Sequence, residues 1–149
     1  MGKRINNWQI PYQTEIEKPR KFERGKTDCG MFVLECISKY TNSNLYDKFK
    51  DKYSSLHQCI KLFKKNNIKG SNLNEYIINF FDKEFERIHI NLAQRGDIVG
   101  FNSDEISMVN KMINSGFTVG IMCEGFGRFV MSEGYEDIPR ENLQMAWRV

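Results

Sequence analysis

The apolar residues of this chain change their period once, and that change limits the fold more than any other feature. Between Asp28 and Ile88 they recur at intervals of three and four. Beyond Arg95, outside residues 104–114, they come in short runs or alternate. The first pattern is the signature of helices with one buried face, the second of strands. Cys29, Phe32, Val33, Cys36, Ile37 and Tyr40 fall at i, i+3, i+4, i+7, i+8 and i+11 and predict a helix, with Thr27 or Asp28 as its N-cap. A second helix is expected over about 53–66 on the stripe Leu56, Cys59, Ile60 and Phe63, with Lys61, Lys64 and Lys65 facing out and Gly70 as stop signal. A third is expected from about Ser71 to Ile88, carried by Leu73, Tyr76, Ile77, Phe80, Phe81, Phe85 and Ile88. Asn72 and Glu75 have the spacing of a capping box.

Then RGDIVGF (95–101) reads as a strand behind a turn. FTVGIMCE (117–124) alternates Phe117, Val119, Ile121 and Cys123 on one face, glycines 125 and 127 make a hairpin turn, and RFVMS (128–132) returns. The tail from Gln144 to Val149 reads as a last strand. Residues 104–114 have the spacing of a short helix through Ile106, Val109 and Ile113. Residues 1–26 read as an irregular strap anchored by Trp8, Ile10, Tyr12 and Phe22, because Pro11 and Pro19 oppose regular structure. Helices first and an antiparallel meander after make an α+β domain. One domain over 1–149, with 1–26 as the strap, suits this length, and ~68–70% of the unfolded surface of such a chain can be buried.

Composition excludes several classes. With 40% hydrophobic and 28% charged residues the chain is neither disordered nor membrane-spanning, and its basic start lacks the apolar stretch of a secretory signal. The four cysteines form no C-x-x-C pair and the only histidines are His57 and His89. No metal, cofactor or disulfide framework is expected, and the thiols are read as reduced. Charge is uneven: residues 1–69 carry 15 Lys/Arg against 7 Asp/Glu, and residues 70–149 carry 7 against 12. The lysines at 48, 50, 52, 61, 64, 65 and 69 give a basic nucleic-acid-binding accessory protein as one reading. A solvated face, with little aromatic interleaving, accounts for them as well, so nucleic acid is not the expected partner.

Cys29 is the residue with a chemical position. At the first turn of a helix, unpaired N–H groups and the dipole favour a thiolate. It also opens the buried stripe, and from position alone a core thiol is the stronger reading. Asp97 in RGD is expected to shape its turn or bind backbone N–H groups, and Glu124 to be solvated.

The ordered set TDCGMF, RGDIVGF, TVGIMCEG and RFVMS resembles the NlpC-type cell-wall peptidases, small papain-like enzymes that cut the peptide stems of peptidoglycan. More closely, the whole chain is similar to a small family of phage proteins of that fold. That likeness rests on Trp8 to Tyr12, Asp28-Cys29 to Phe32, Arg95-Gly96-Asp97, Gly120 to Gly125 and Ala146 to Val149. The resemblance implies a papain-like NlpC-type fold, helices packed on a small antiparallel sheet, and Cys29 as nucleophile facing the strand that begins near Thr118. The family's histidine base opens that strand, and here the position is Thr118, which cannot take a thiol proton near neutral pH. The polar residue that orients the histidine falls near Val130 or Met131. His89 precedes the RGDIVGF strand, at the far end from the missing base, and His57 lies on the polar flank of the second helix.

The resemblance therefore implies a virion component, tail-associated, made in the host cytoplasm and partnered with other phage tail proteins. It implies a structural or assembly module more than a working enzyme. The alternative is a cysteine peptidase or amidase acting on peptidoglycan. Partner contact is expected from the strap or from the insertion 103–116, whose Ile106, Met108, Val109, Met112 and Ile113 form an adaptable apolar set.

Overall fold

In the computed structural model, residues 3–102 and 116–149 are described. Among the described residues, five α-helices precede a six-stranded sheet. The helices are α1 (Gln9–Glu17), α2 (Cys29–Tyr40), α3 (Leu45–Phe49), α4 (Leu56–Lys65) and α5 (Leu73–Glu84). The strands are β1 (Glu86–Ile88), β2 (Ile98–Asn102), β3 (Phe117–Met122), β4 (Phe126–Met131), β5 (Gly134–Pro139) and β6 (Met145–Arg148). The sheet order is β1-β6-β2-β3-β4-β5 and every pairing is antiparallel. The chain is thus α+β, with β6 inserted between β1 and β2 rather than added at an edge.

Two apolar clusters lie on opposite faces of the sheet. The larger joins α1 to α5 to the face bearing Ile98, Phe117, Val119, Ile121, Cys123, Val130 and Trp147. The smaller covers Val99, Phe101, Met122, Phe129, Met131 and Ala146 on the other face. Strand β3 is therefore buried at all six positions, not on one face only as its alternation predicts. A strand covered on both sides needs no polar face.

α2 forms as its stripe predicts, and the Asp28 carboxylate caps it by accepting from the Met31 N–H. Asn72 caps α5 by accepting from the Glu75 N–H. Glu75 reaches back to the Ser71 N–H and hydroxyl, one residue earlier than a standard box.

Several expectations are corrected. Residues 9–17 of the strap are helical: Pro11 stands third in α1, where its missing N–H would have had no intrahelical partner. Ile10 is 70% exposed and anchors nothing, whereas Tyr12 is buried and Trp8 and Phe22 are half-buried. The helix expected over 53–66 begins only at Leu56, with Ser55 as its cap. The third helix ends at Glu84. Phe85 is extended and buried, and residues 86–88 become β1. Helix α3 and strand β5 had no sequence signal strong enough to place them. Gly125 makes the hairpin turn, but Gly127 lies inside β4. The helix expected over 104–114, and all of the insertion 103–116 except Gly116, lie outside the described residues. Among the described residues no helix is long and apolar enough to cross a membrane.

Candidate functional site

The N-terminus of α2 meets β3 at Val119, and Cys29 sits at that contact with 8% of its surface exposed. The residues around it line a cavity of about 70 Å³ under α4, room for a few waters or one apolar side-chain tip. Its walls are apolar: Met31, Leu34, Phe49, Leu56, Phe63 and Phe80 among them. Its polar end holds Cys29, Cys59, Asp28, Tyr53 and Arg24.

Asp28 organises that end. Its Oδ1 accepts from the Met31 N–H at 2.9 Å. Its Oδ2 accepts from the Gly25 N–H at 2.8 Å and from the Tyr53 hydroxyl at 2.6 Å. The carboxylate thus closes the turn before α2, caps the helix and holds Tyr53 over the cavity. Burial, followed by the Asp28 charge, raises the Tyr53 hydroxyl above its ordinary range.

Helix position alone would lower the Cys29 pKa, and the N–H groups of Val119 and Gly30 do act in that direction. Burial and the Asp28 carboxylate outweigh them, and the thiol is pushed up to about 11. Burial, with Asp28 and Cys29 nearby, pushes the half-buried Cys59 up to about 12. Cys29 is therefore a protonated thiol at neutral pH. Iodoacetamide labelling of Cys29, followed by peptide mass spectrometry, is expected to be slow at pH 7. It should keep rising about tenfold per pH unit well past ~8.5, where an ordinary thiol levels off. A plateau below pH 8 would reveal a poised thiolate and reverse this reading. The folded state keeps a proton that the unfolded chain loses near ~8.5, so stability falls as pH climbs from there toward 11.

Thr118 is buried, at 1% exposure, and lies on the other side of the sheet. It pairs with Phe101, whose ring belongs to the smaller cluster, and directly paired residues share a face. The structure brings Cys29 to β3 but leaves the Thr118 side chain pointing away from it. Val130 and Met131 are buried in opposite clusters. His57 is exposed and does not line the cavity. His89 is exposed and accepts from the Asn91 N–H through Nδ1, capping a short 3-10 turn. Among the described residues no group of three or more His, Cys, Asp or Glu side chains is arranged to hold a metal ion. All four cysteines are free, and Cys29, Cys36 and Cys123 are the buried ones.

A second, wider cavity of about 250 Å³ lies over Cys123, between α1 and the β3–β4 hairpin. Its Arg128 is already committed, in a two-point pair with Asp137 and in a bond to the Ile16 carbonyl. Tyr53 and Arg24 carry no site signal in the sequence because neither belongs to a motif, and in the structure both lie in irregular segments.

The chain belongs to the DUF6950 family, whose model, described as a domain of unknown function, matches residues 3–149. No curated protein and no solved structure matches it.

Proposed function

We propose that this DUF6950 chain is a tail-associated component of a phage particle that uses an NlpC-type, papain-like fold as a structural or assembly module. The carrying observation is the state of Cys29: a buried thiol, raised to about 11, in a cavity that no imidazole lines. Nucleophilic use of a thiol needs a lowered pKa or an adjacent base, and Thr118, at the position of the resembled family's histidine, faces the opposite side of the sheet. The family likeness itself is supported by the ordered motifs and by the packing of the D-C helix on β3.

The N–H groups of Val119 and Gly30 directed at the Cys29 sulfur favour one other reading, a thiol hydrolase completed by a partner's base. There the sulfur would attack a peptide carbonyl, its proton would pass to that base and then to the leaving amine, and water would hydrolyse the thioester. Two measurements decide. The chain is expected in purified virions by mass spectrometry and cross-linked to other tail proteins, and the isolated chain is expected to release no stem-peptide fragments from peptidoglycan. Fragment release that disappears in Cys29→Ala would establish the hydrolase instead. Absence from virions would overturn the particle reading.

A further inference from the structure

We propose that the cleft beneath α4 is a docking socket for an acidic segment of a partner protein, which seats one small apolar side chain beside Cys29. The inference rests on the assembly-module reading and names the kind of partner. α4 carries the apolar stripe Leu56, Cys59, Ile60 and Phe63, yet none of its residues is buried. Leu56 is 43% exposed while lining the cavity, so it forms an apolar lip over an apolar socket. A volume of about 70 Å³ suits a leucine- or methionine-sized tip.

Charge selects the segment around that tip. At the polar end of the socket, Asp28 is saturated by three donors. Arg24 has no carboxylate partner among the described residues and lies over the Phe22 ring at 4.9 Å. α3, α4 and their link add six exposed lysines, at 48, 50, 52, 61, 64 and 65, against Asp47 and Asp51. None of the six pairs with a carboxylate among the described residues. Such a field draws in an acidic partner. A phosphodiester backbone would answer the lysines but leave the apolar socket unfilled.

The test titrates the full-length, methyl-labelled protein with an acidic pentapeptide that has a central leucine. Saturable shifts are expected at the methyls of Leu56, Met31 and Val119. The same peptide with central serine, or with lysines in place of the acids, should produce none. Lys61, Lys64 and Lys65 changed together to Glu should weaken binding about tenfold while the spectrum stays native, and Leu56→Asp should abolish it. The proposal is overturned by no saturable shift with leucine, methionine or phenylalanine at the centre, or by equal shifts with serine. It is also overturned by tighter binding of an oligonucleotide, or by self-association at the same methyls, which would make a second copy the occupant. Virion incorporation without peptide binding defeats this proposal alone, and peptide binding without virion incorporation defeats the particle reading alone.

Discussion

Asp97→Ala is expected to cost about 3–5 kcal/mol, because it takes a buried carboxylate away from two backbone donors and a half-buried guanidinium. For a chain of this size that lowers the melting temperature by roughly 6–20 °C. Asp97 is 1% exposed and ties three distant segments together. Its Oδ2 accepts from the Gln94 N–H at 2.9 Å. Its Oδ1 accepts from the Val149 N–H at 3.0 Å and from Arg4 Nη2 at 2.8 Å. Arg4 adds bonds to the carbonyls of Val149 and Arg95 and stacks on Trp8 at 4.1 Å. Alanine leaves two backbone donors and a guanidinium without their acceptor, so the cost exceeds that of one ordinary hydrogen bond. Asp97→Asn keeps an acceptor oxygen and should lose about half as much. A loss under about 1 kcal/mol for Asp97→Ala, in urea or thermal unfolding, would mean that the clasp is ornamental.

The Asp97 clasp was half legible. Gly-Asp before an apolar run suggests a carboxylate that serves backbone N–H groups, which it does, but nothing in the sequence names Arg4 or Val149 as its other partners. Long-range pairs leave no periodic trace. The α2 stripe was fully legible because Asp28 marks the start and twelve residues keep one period. Phe85 and Ile88 kept the helical spacing of α5 although the backbone had already turned extended, since apolar residues three apart also fit a strand end. Pro11 reads as a breaker in the sequence because its meaning depends on its place in a helix that residues 9–17 do not announce by any apolar period.

The candidate site shows the same boundary. Helix position argues for an acidic thiol, and only the structure reveals that burial and Asp28 outweigh it. The side on which Thr118 lies follows from its pairing with Phe101 and from cover on both faces of β3, neither of which the alternation in 117–124 encodes.

Gly25→Ala is expected to disrupt the site from a residue that carries no functional group. Gly25 has φ +83°, and a Cβ there would stand 1.7 Å from the Tyr53 carbonyl oxygen and 2.9 Å from its carbon. Both are backbone atoms, so no rotamer relieves the overlap and the chain must part between Gly25 and Tyr53. Separation also breaks the Gly25 N–H bond to Asp28 and draws Tyr53 off the carboxylate. Strain at a left-handed residue costs about 1–3 kcal/mol, and a lost bond to a buried acceptor about 1–3 more. Gly125→Ala is the matched control: its φ is also +83°, but nothing lies within 4 Å of its would-be Cβ, so it bears the backbone term alone. The expected result is a clearly larger loss of stability for Gly25→Ala, with faster alkylation of Cys29 and Cys59 as Tyr53 withdraws from the cavity. Equal melting temperatures and unchanged thiol labelling in the two variants would show that the Gly25–Tyr53 contact does not hold Asp28, Tyr53 and the two thiols in place.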